Sequence, residues 1–210
     1  MKDDFSIFEA LLWEPNSGYF LFDLHLKRLA LTAAHFDRQA DLKSIEKKAL
    51  DLAQGFSSDS RKVRIEVSEQ GEIRVEAEII HPSDTIVYSL SRRPVQSSNL
   101  FLRHKTSQRE TYDEALRLHP EADDVVLWNE RGELTESCSA NLVLEMKGRR
   151  LTPALECGLL PGTFRAYLLA TGEIEEAVIP VSSLDEAEEV FLVNSVRRWR
   201  KGTPVEIHRA

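Results

Sequence analysis

The chain has 210 residues, enough for one large domain or two small ones. Hydrophobic residues make up 42% and charged residues 30%, the balance of a folded globular protein rather than a disordered one. A formal net charge of -8 argues against a general nucleic-acid binder or a binder of anionic membranes, while local basic groups can still serve a small anionic ligand.

Cys138 and Cys157 are the two cysteines, and their spacing matches no zinc or redox pattern. Small half-buried residues in a reducing compartment are expected, with no metal. The opening Met1-Lys2-Asp3-Asp4 is followed by no apolar signal-peptide core. No apolar run approaches the ~20 residues of a membrane span. The cytoplasm is the expected location.

The first element in chain order is a strand from Phe8 to Trp13. Glu14-Pro15-Asn16-Ser17-Gly18 then turns it into a second run, Tyr19 to Phe22. Asp23 is a candidate cap for a helix in which Leu26, Leu29, Ala30 and Ala33 share a face. A second helix is predicted from about Leu42 to Gln54, stopped by Gly55. Val63, Ile65 and Val67, and after the Glu69-Gln70-Gly71-Glu72 turn Ile73, Val75, Ala77 and Ile79, alternate with polar residues as a hairpin with one wet face. Ile86 to Leu90 is a further strand. The aperiodic stretch from Arg92 to Ser98 is expected to connect two lobes, one spanning 1–95 and the other 99–210.

Leu100 to Leu102 follows as a short apolar strand, and Ser107 to Glu110 fits a capping box opening a helix to about Leu118. Hairpin turns are predicted at Asn129-Glu130-Arg131-Gly132 and at Lys147-Gly148. Pro161 to Leu169 is predicted as a helix, and Glu189 to Val193 and Pro204 to Ile207 as closing strands. The result is an α+β protein in two lobes, without repeats.

Three features can carry chemistry. Lys105 stands at the junction before a helix, where a side chain can face a cleft. Against apolar walls a lysine loses proton affinity and becomes a usable amine, although most lysines are simply solvated. Glu136 lies on the return arm of a hairpin. It is either an exposed strand glutamate or a carboxylate placed against a cationic ring nitrogen. The third feature is a set of anion donors: Arg28, on one helix face with His25; the Gly158-Leu159-Leu160-Pro161-Gly162-Thr163 run into a helix start; and Asn194-Ser195 at a strand end. Neither nucleotide phosphate loop, G-x-x-x-x-G-K nor G-x-G-x-x-G, is present.

Taken together, these segments resemble the class-IV aminotransferase family. Phe8-Glu9-Ala10-Leu11 with Leu24-His25-Leu26-Lys27-Arg28-Leu29 is similar to its opening hairpin and H-x-x-R-L helix. Arg103-His104-Lys105-Thr106, then Arg109 and Tyr112, resembles the lysine segment of the family's aminodeoxychorismate lyases. Leu127 to Glu136 with Asn141-Leu142 resembles the glutamate motif, Gly158 to Arg165 the phosphate loop, and Phe191 to Arg197 the last motif. Five motifs in family order cover almost the whole chain.

The resemblance implies a pyridoxal 5'-phosphate (PLP) enzyme of fold type IV, with a small two-layer α/β lobe and a larger barrel-like lobe. It implies that Lys105 binds PLP and moves protons, and that Glu136 pairs with the pyridine nitrogen. Arg28, the backbone of Thr163 and Phe164, Asn194 and Ser195 would hold the phosphate end, and Arg109 and Tyr112 the substrate. The activity implied is 4-amino-4-deoxychorismate lyase, giving 4-aminobenzoate and pyruvate in the folate pathway, with aminodeoxychorismate synthase as a pathway partner. A class-IV aminotransferase acting on branched-chain or D-amino acids is the alternative, and a non-catalytic binding protein a second. Family members work as homodimers, and Leu11, Leu12, Trp13 and Phe20 of the opening hairpin are apolar residues expected to need cover.

The chain also departs from the family. The family's first strand and glycine-rich turn are not found ahead of the opening hairpin, so substrate contacts from that end are expected to differ. Phe164 replaces a threonine of many transaminases, and Glu110 a tyrosine that they place five residues after the lysine. Arg198 stands where related lyases have glycine.

Overall fold

The computed structural model describes residues 5–205. The chain forms two compact units: one runs to Pro82 and takes in His104–Gln108, and the other comprises Ser83–Arg103 and the chain from Arg109 on.

The first unit is a four-stranded antiparallel sheet with two helices. Its elements are β1 (Ile7–Glu14), β2 (Gly18–Tyr19), α1 (Phe22–His35), α2 (Leu42–Ala53), β3 (Arg61–Val67) and β4 (Ile73–Ile79), with strand order β2-β1-β3-β4. Period-two alternation puts Ile7, Leu11, Ile65 and Val67 on the sheet face that packs with Leu29 and Ala33 of α1 and Ile45 and Ala49 of α2. The α1 N-cap is Leu21, with φ 54°, and Asp23 lies one step inside the helix rather than capping it. Asp41 caps α2, its side chain accepting from the N–H groups of Lys43 and Ser44 at 3.1 Å.

β2 is only two residues long and pairs with the far end of β1, at Trp13 and Glu14. The near end is taken by the 104–108 segment. The Phe8 N–H donates to the Lys105 carbonyl at 3.1 Å, and Ser107 exchanges bonds with Ser6 through its N–H (2.9 Å) and its hydroxyl (3.0 Å). This pairing overturns two expectations. Ser107 is no capping-box residue, because its hydroxyl serves Ser6. The lysine segment groups with the first unit rather than with the second lobe.

The second unit contains β5 (Thr85–Leu90), α3 (Leu100–Arg103), α4 (Glu110–Leu118), β6 (Asp124–Trp128), β7 (Leu134–Ser137), β8 (Asn141–Met146), β9 (Arg149–Pro153), α5 (Thr163–Ala170), β10 (Glu175–Ala177), α6 (Ser183–Glu186), β11 (Glu189–Asn194) and β12 (Arg198–Pro204). Six strands close into a barrel in the order β8-β11-β12-β5-β6-β7, β7 pairing back to β8, and β9 and β10 extend the sheet outward from β8. Ile86, Tyr88, Val126, Leu134, Leu142, Leu144, Val190 and Leu192 form its core. A second cluster packs Tyr112 and Ala115 of α4 on Val125, Leu127 and Cys138.

Because β5 is a barrel strand, the units divide at Pro82 rather than near residue 95. The stretch from Arg92 to Ser98 is not a bare connector: Val95 and Ser97 are buried, and the Ser97 N–H and hydroxyl donate to Glu130 at 2.8 and 2.6 Å. Leu100 to Leu102 is helical, not a strand. The closing strand is Arg198–Pro204; of the predicted Pro204–Ile207 strand, 206 and 207 lie outside the described residues.

Candidate active site

In the first unit the site residues meet on β1 and α1. Glu9 shares the helix-facing side of β1 with Ile7 and Leu11, and His25 and Arg28, three apart on α1, sit over it. The Arg28 guanidinium grips the carboxylate with Nε on Oε1 (2.8 Å) and Nη2 on Oε2 (2.5 Å), and His25 Nδ1 lies 2.7 Å from Oε2. Burial alone would raise the Glu9 carboxyl. The charge and hydrogen bond of Arg28, with the bond to His25, outweigh it and hold the group down to about 2. Burial pushes the His25 imidazole down, so the ring is neutral at pH 7. Arg28 is therefore oriented by a two-point fork, the strongest grip a carboxylate offers. Sequence reading placed His25 and Arg28 on one face but gave Glu9 no role. A lone carboxylate at a core position of an apolar strand was the available signal.

Lys105 is paired through its backbone to Phe8, and its Nζ lies 4.8 Å from the centre of the Phe8 ring. That is cation–π distance, with the ring face toward the amine. On the preceding residue, the His104 ring stacks on His35 at 4.0 Å.

In the second unit the carboxylate is Glu136, on β7 and 4% exposed. Its Oε1 accepts from the Tyr112 hydroxyl at 2.8 Å and from the Leu160 N–H at 3.2 Å, and Oε2 receives the Asn141 amide at 3.5 Å. Asn141 also donates to the Leu160 carbonyl at 2.9 Å. The loop before α5 is thus tied to the glutamate through both groups of one peptide residue. α5 starts at Thr163 behind Gly162, with no side-chain cap, and Thr163 and Phe164 are buried. A Cβ on Gly162 would lie 1.9 Å from Asn141 Oδ1, so only glycine lets the helix start approach this closely.

Arg109 donates to the Cys138 carbonyl at 2.8 Å and lies over the Tyr112 ring at 4.7 Å. Ser195 is buried after β11. The Asn194 side chain closes the turn, Oδ1 accepting from Val196 and Arg197 and Nδ2 donating to the Ser139 carbonyl. Arg198 adopts φ 56°, the left-handed conformation that glycine takes without strain. Glu110, at the exposed start of α4, has no tyrosine-like reach into the core.

The second unit therefore offers what the two ends of PLP require. A buried, hydrogen-bonded carboxylate suits a protonated pyridine nitrogen, and a helix start without a side-chain cap suits a phosphate. Asn141 and Leu160 link the two. In the first unit, Arg28 is a second anion donor and Lys105 an amine.

A six-strand barrel unit with a separate α/β unit, and a glutamate and glycine-led helix start side by side, define the fold type IV class of PLP enzymes. The chain belongs to the amino-transferase class IV family, whose model matches residues 6–205. It is 30% identical over 211 aligned positions to a Schizosaccharomyces pombe protein described as "Putative aminodeoxychorismate lyase", covering 95% of this chain and 90% of that one. An aminodeoxychorismate lyase of Saccharomyces cerevisiae is 38% identical over 85 residues, 38% of this chain and 23% of its own length. Among solved structures, a "Putative amino-acid aminotransferase" from Mesorhizobium loti is 34% identical, with a TM-score of 0.89, covering 96% of this chain and 100% of that one. The chain is a PLP-dependent enzyme of this family. No helix among the described residues is long and apolar enough to cross a membrane.

Proposed function

We propose that this enzyme is a 4-amino-4-deoxychorismate lyase, releasing 4-aminobenzoate and pyruvate. The observation that carries the reading is the 30% likeness to the fission-yeast protein, which runs through 95% of the chain and so spans every site segment. The lysine segment supports it. The position five residues after Lys105 is Glu110, at the exposed start of α4, and the nearby tyrosine, Tyr112, is turned toward Glu136.

Bound PLP supplies an electron sink conjugated to the substrate nitrogen. Lys105 would hold the cofactor until the substrate amine displaces it, and the freed Nζ would then take the proton from the ring carbon that bears the amine. A proton then passes to the methylene carbon of the departing enolpyruvyl group as its C–O bond breaks, and the ring becomes aromatic. Glu136 keeps a proton on the pyridine nitrogen. Arg28, the Thr163 and Phe164 N–H groups and Ser195 bind the phosphate. Asn194 contributes by shaping the turn that carries Ser195, and Arg109 contributes to the substrate side of the site. The protein works as a homodimer, in the same pathway as an aminodeoxychorismate synthase that makes its substrate.

An amino-acid aminotransferase is the second reading, favoured by the 34% likeness to the Mesorhizobium loti structure. One experiment separates them. The purified PLP-loaded chain is incubated with chorismate, glutamine and an aminodeoxychorismate synthase, and 4-aminobenzoate is followed; parallel samples receive branched-chain or D-amino acids with 2-oxoglutarate. Enzyme-dependent 4-aminobenzoate is expected. Transamination without 4-aminobenzoate would replace the lyase with the second reading.

A further inference from the structure

We infer that Tyr112 is a positioning residue for Glu136, not a substrate contact: its phenol fixes one carboxylate oxygen and so keeps the Glu136 charge aimed at the ring nitrogen. The inference rests on the proposed pairing of Glu136 with that nitrogen.

The geometry is specific. Tyr112 is the third residue of α4 and 7% exposed, with its ring packed among Val125, Leu127 and Cys138. A buried tyrosine hydroxyl needs a polar partner. Here the partner is Glu136 Oε1 at 2.8 Å. The direction of donation is fixed. A carboxylate can only accept, and burial, with the Glu136 charge, pushes the phenol well above its ordinary range, so the proton stays on the tyrosine. The Leu160 N–H adds a second donor to the same oxygen at 3.2 Å. Oε1 is thereby committed to the protein, and the carboxylate plane cannot rotate without breaking two bonds.

A donor on the ionised form favours ionisation. The Tyr112 bond therefore offsets part of the penalty of burying Glu136, and keeps the carboxylate charged opposite the ring. Arg109, over the Tyr112 ring and anchored on the Cys138 carbonyl, packs on the ring that carries the phenol. The family's transaminases place a tyrosine five residues after the lysine. In this chain the tyrosine is two residues further on and acts on the glutamate.

Tyr112→Phe keeps the ring, and with it the packing and the Arg109 contact, and removes only the donor. The holoenzyme is reconstituted with PLP carrying an isotopic label at the ring nitrogen, and the nitrogen NMR shift is followed against pH. In Tyr112→Phe the pH at which the ring nitrogen loses its proton is expected to fall by about one unit. Glu136→Gln should lower it further, and adding Tyr112→Phe to Glu136→Gln should do nothing more, because the phenol acts through the carboxylate. An unchanged midpoint in Tyr112→Phe, with Glu136→Gln shifted, overturns the inference while leaving the Glu136 reading standing. So does an equal Tyr112→Phe shift in the Glu136→Gln background. No shift in Glu136→Gln itself removes the Glu136 reading and the inference with it.

Discussion

Glu9 is 1% exposed, yet Arg28 and His25 keep its carboxyl near 2 against an ordinary value of 4.5. A folded-state pKa below the unfolded one gives a contribution that is complete above about 4.5 and disappears as pH falls through about 2. A shift of this size corresponds to roughly 3 kcal/mol at neutral pH. Equilibrium unfolding of the parent chain should therefore lose stability across that window. Glu9→Gln should flatten this part of the pH dependence and lower neutral-pH stability by about 3–5 kcal/mol, because the mostly buried Arg28 loses its carboxylate. Urea unfolding at several pH values checks both. An unaltered slope in Glu9→Gln would mean that the acid sensitivity lies elsewhere. If Arg28 serves the phosphate, the same variant should also bind PLP less tightly while changing little toward pyridoxal, which lacks that group.

α5 illustrates how an element can be limited by a single missing Cβ. Gly162 has an ordinary φ of -62°, so the backbone does not require glycine there; the contact with Asn141 does. Gly162→Ala must displace Asn141, which bridges Glu136 and Leu160, and should lower stability by about 1–3 kcal/mol as an overpacked site does. It should also speed the loss of PLP on dialysis. In an Asn141→Ala background the alanine has room, so its added effect on stability should shrink; an undiminished effect would mean that the clash is not with Asn141. Elements were legible where periodicity ran long enough to be unambiguous. α2 and the β3–β4 hairpin follow directly from Leu42 to Ala53 and from Val63 to Ile79. The misreadings fall on short segments whose partners are distant. Leu100 to Leu102 carries too few residues to separate a helical turn from a strand. Ser107 fits a capping box locally, but its hydroxyl is claimed by Ser6, 101 positions away. The candidate site shows the same limit. Its residue types and order were readable, whereas the Glu9 fork and the Tyr112–Glu136 bond depend on which β-strand faces which helix.

At the scale of the whole molecule, the opening hairpin does not call for a second subunit. Leu11 and Leu12 are buried within the chain, and Trp13 meets Phe56 edge-on at 5.0 Å. Among the described residues, the exposed large apolar side chains are others: Leu31, Leu50 and Ile79 in the first unit, and Val87, Leu100, Leu155, Tyr167 and Val178 in the second. Exposed apolar residues in such numbers are ordinary on a protein surface. The homodimer is thus proposed from family membership, and charge supplies an independent way to test it. Each chain carries a net charge of -8, so two chains repel at long range, and association must overcome that repulsion. Added salt shortens the Debye length from about 30 Å at 0.01 M to about 8 Å at 0.15 M and weakens the repulsion. Sedimentation velocity of the PLP-loaded protein at micromolar concentration should show a dimer, and the dissociation constant should fall as salt rises over that range. Binding that weakens with salt would point instead to an interface held by complementary charges. A monomer that stays fully active at every concentration and salt level would remove the dimer from the functional unit.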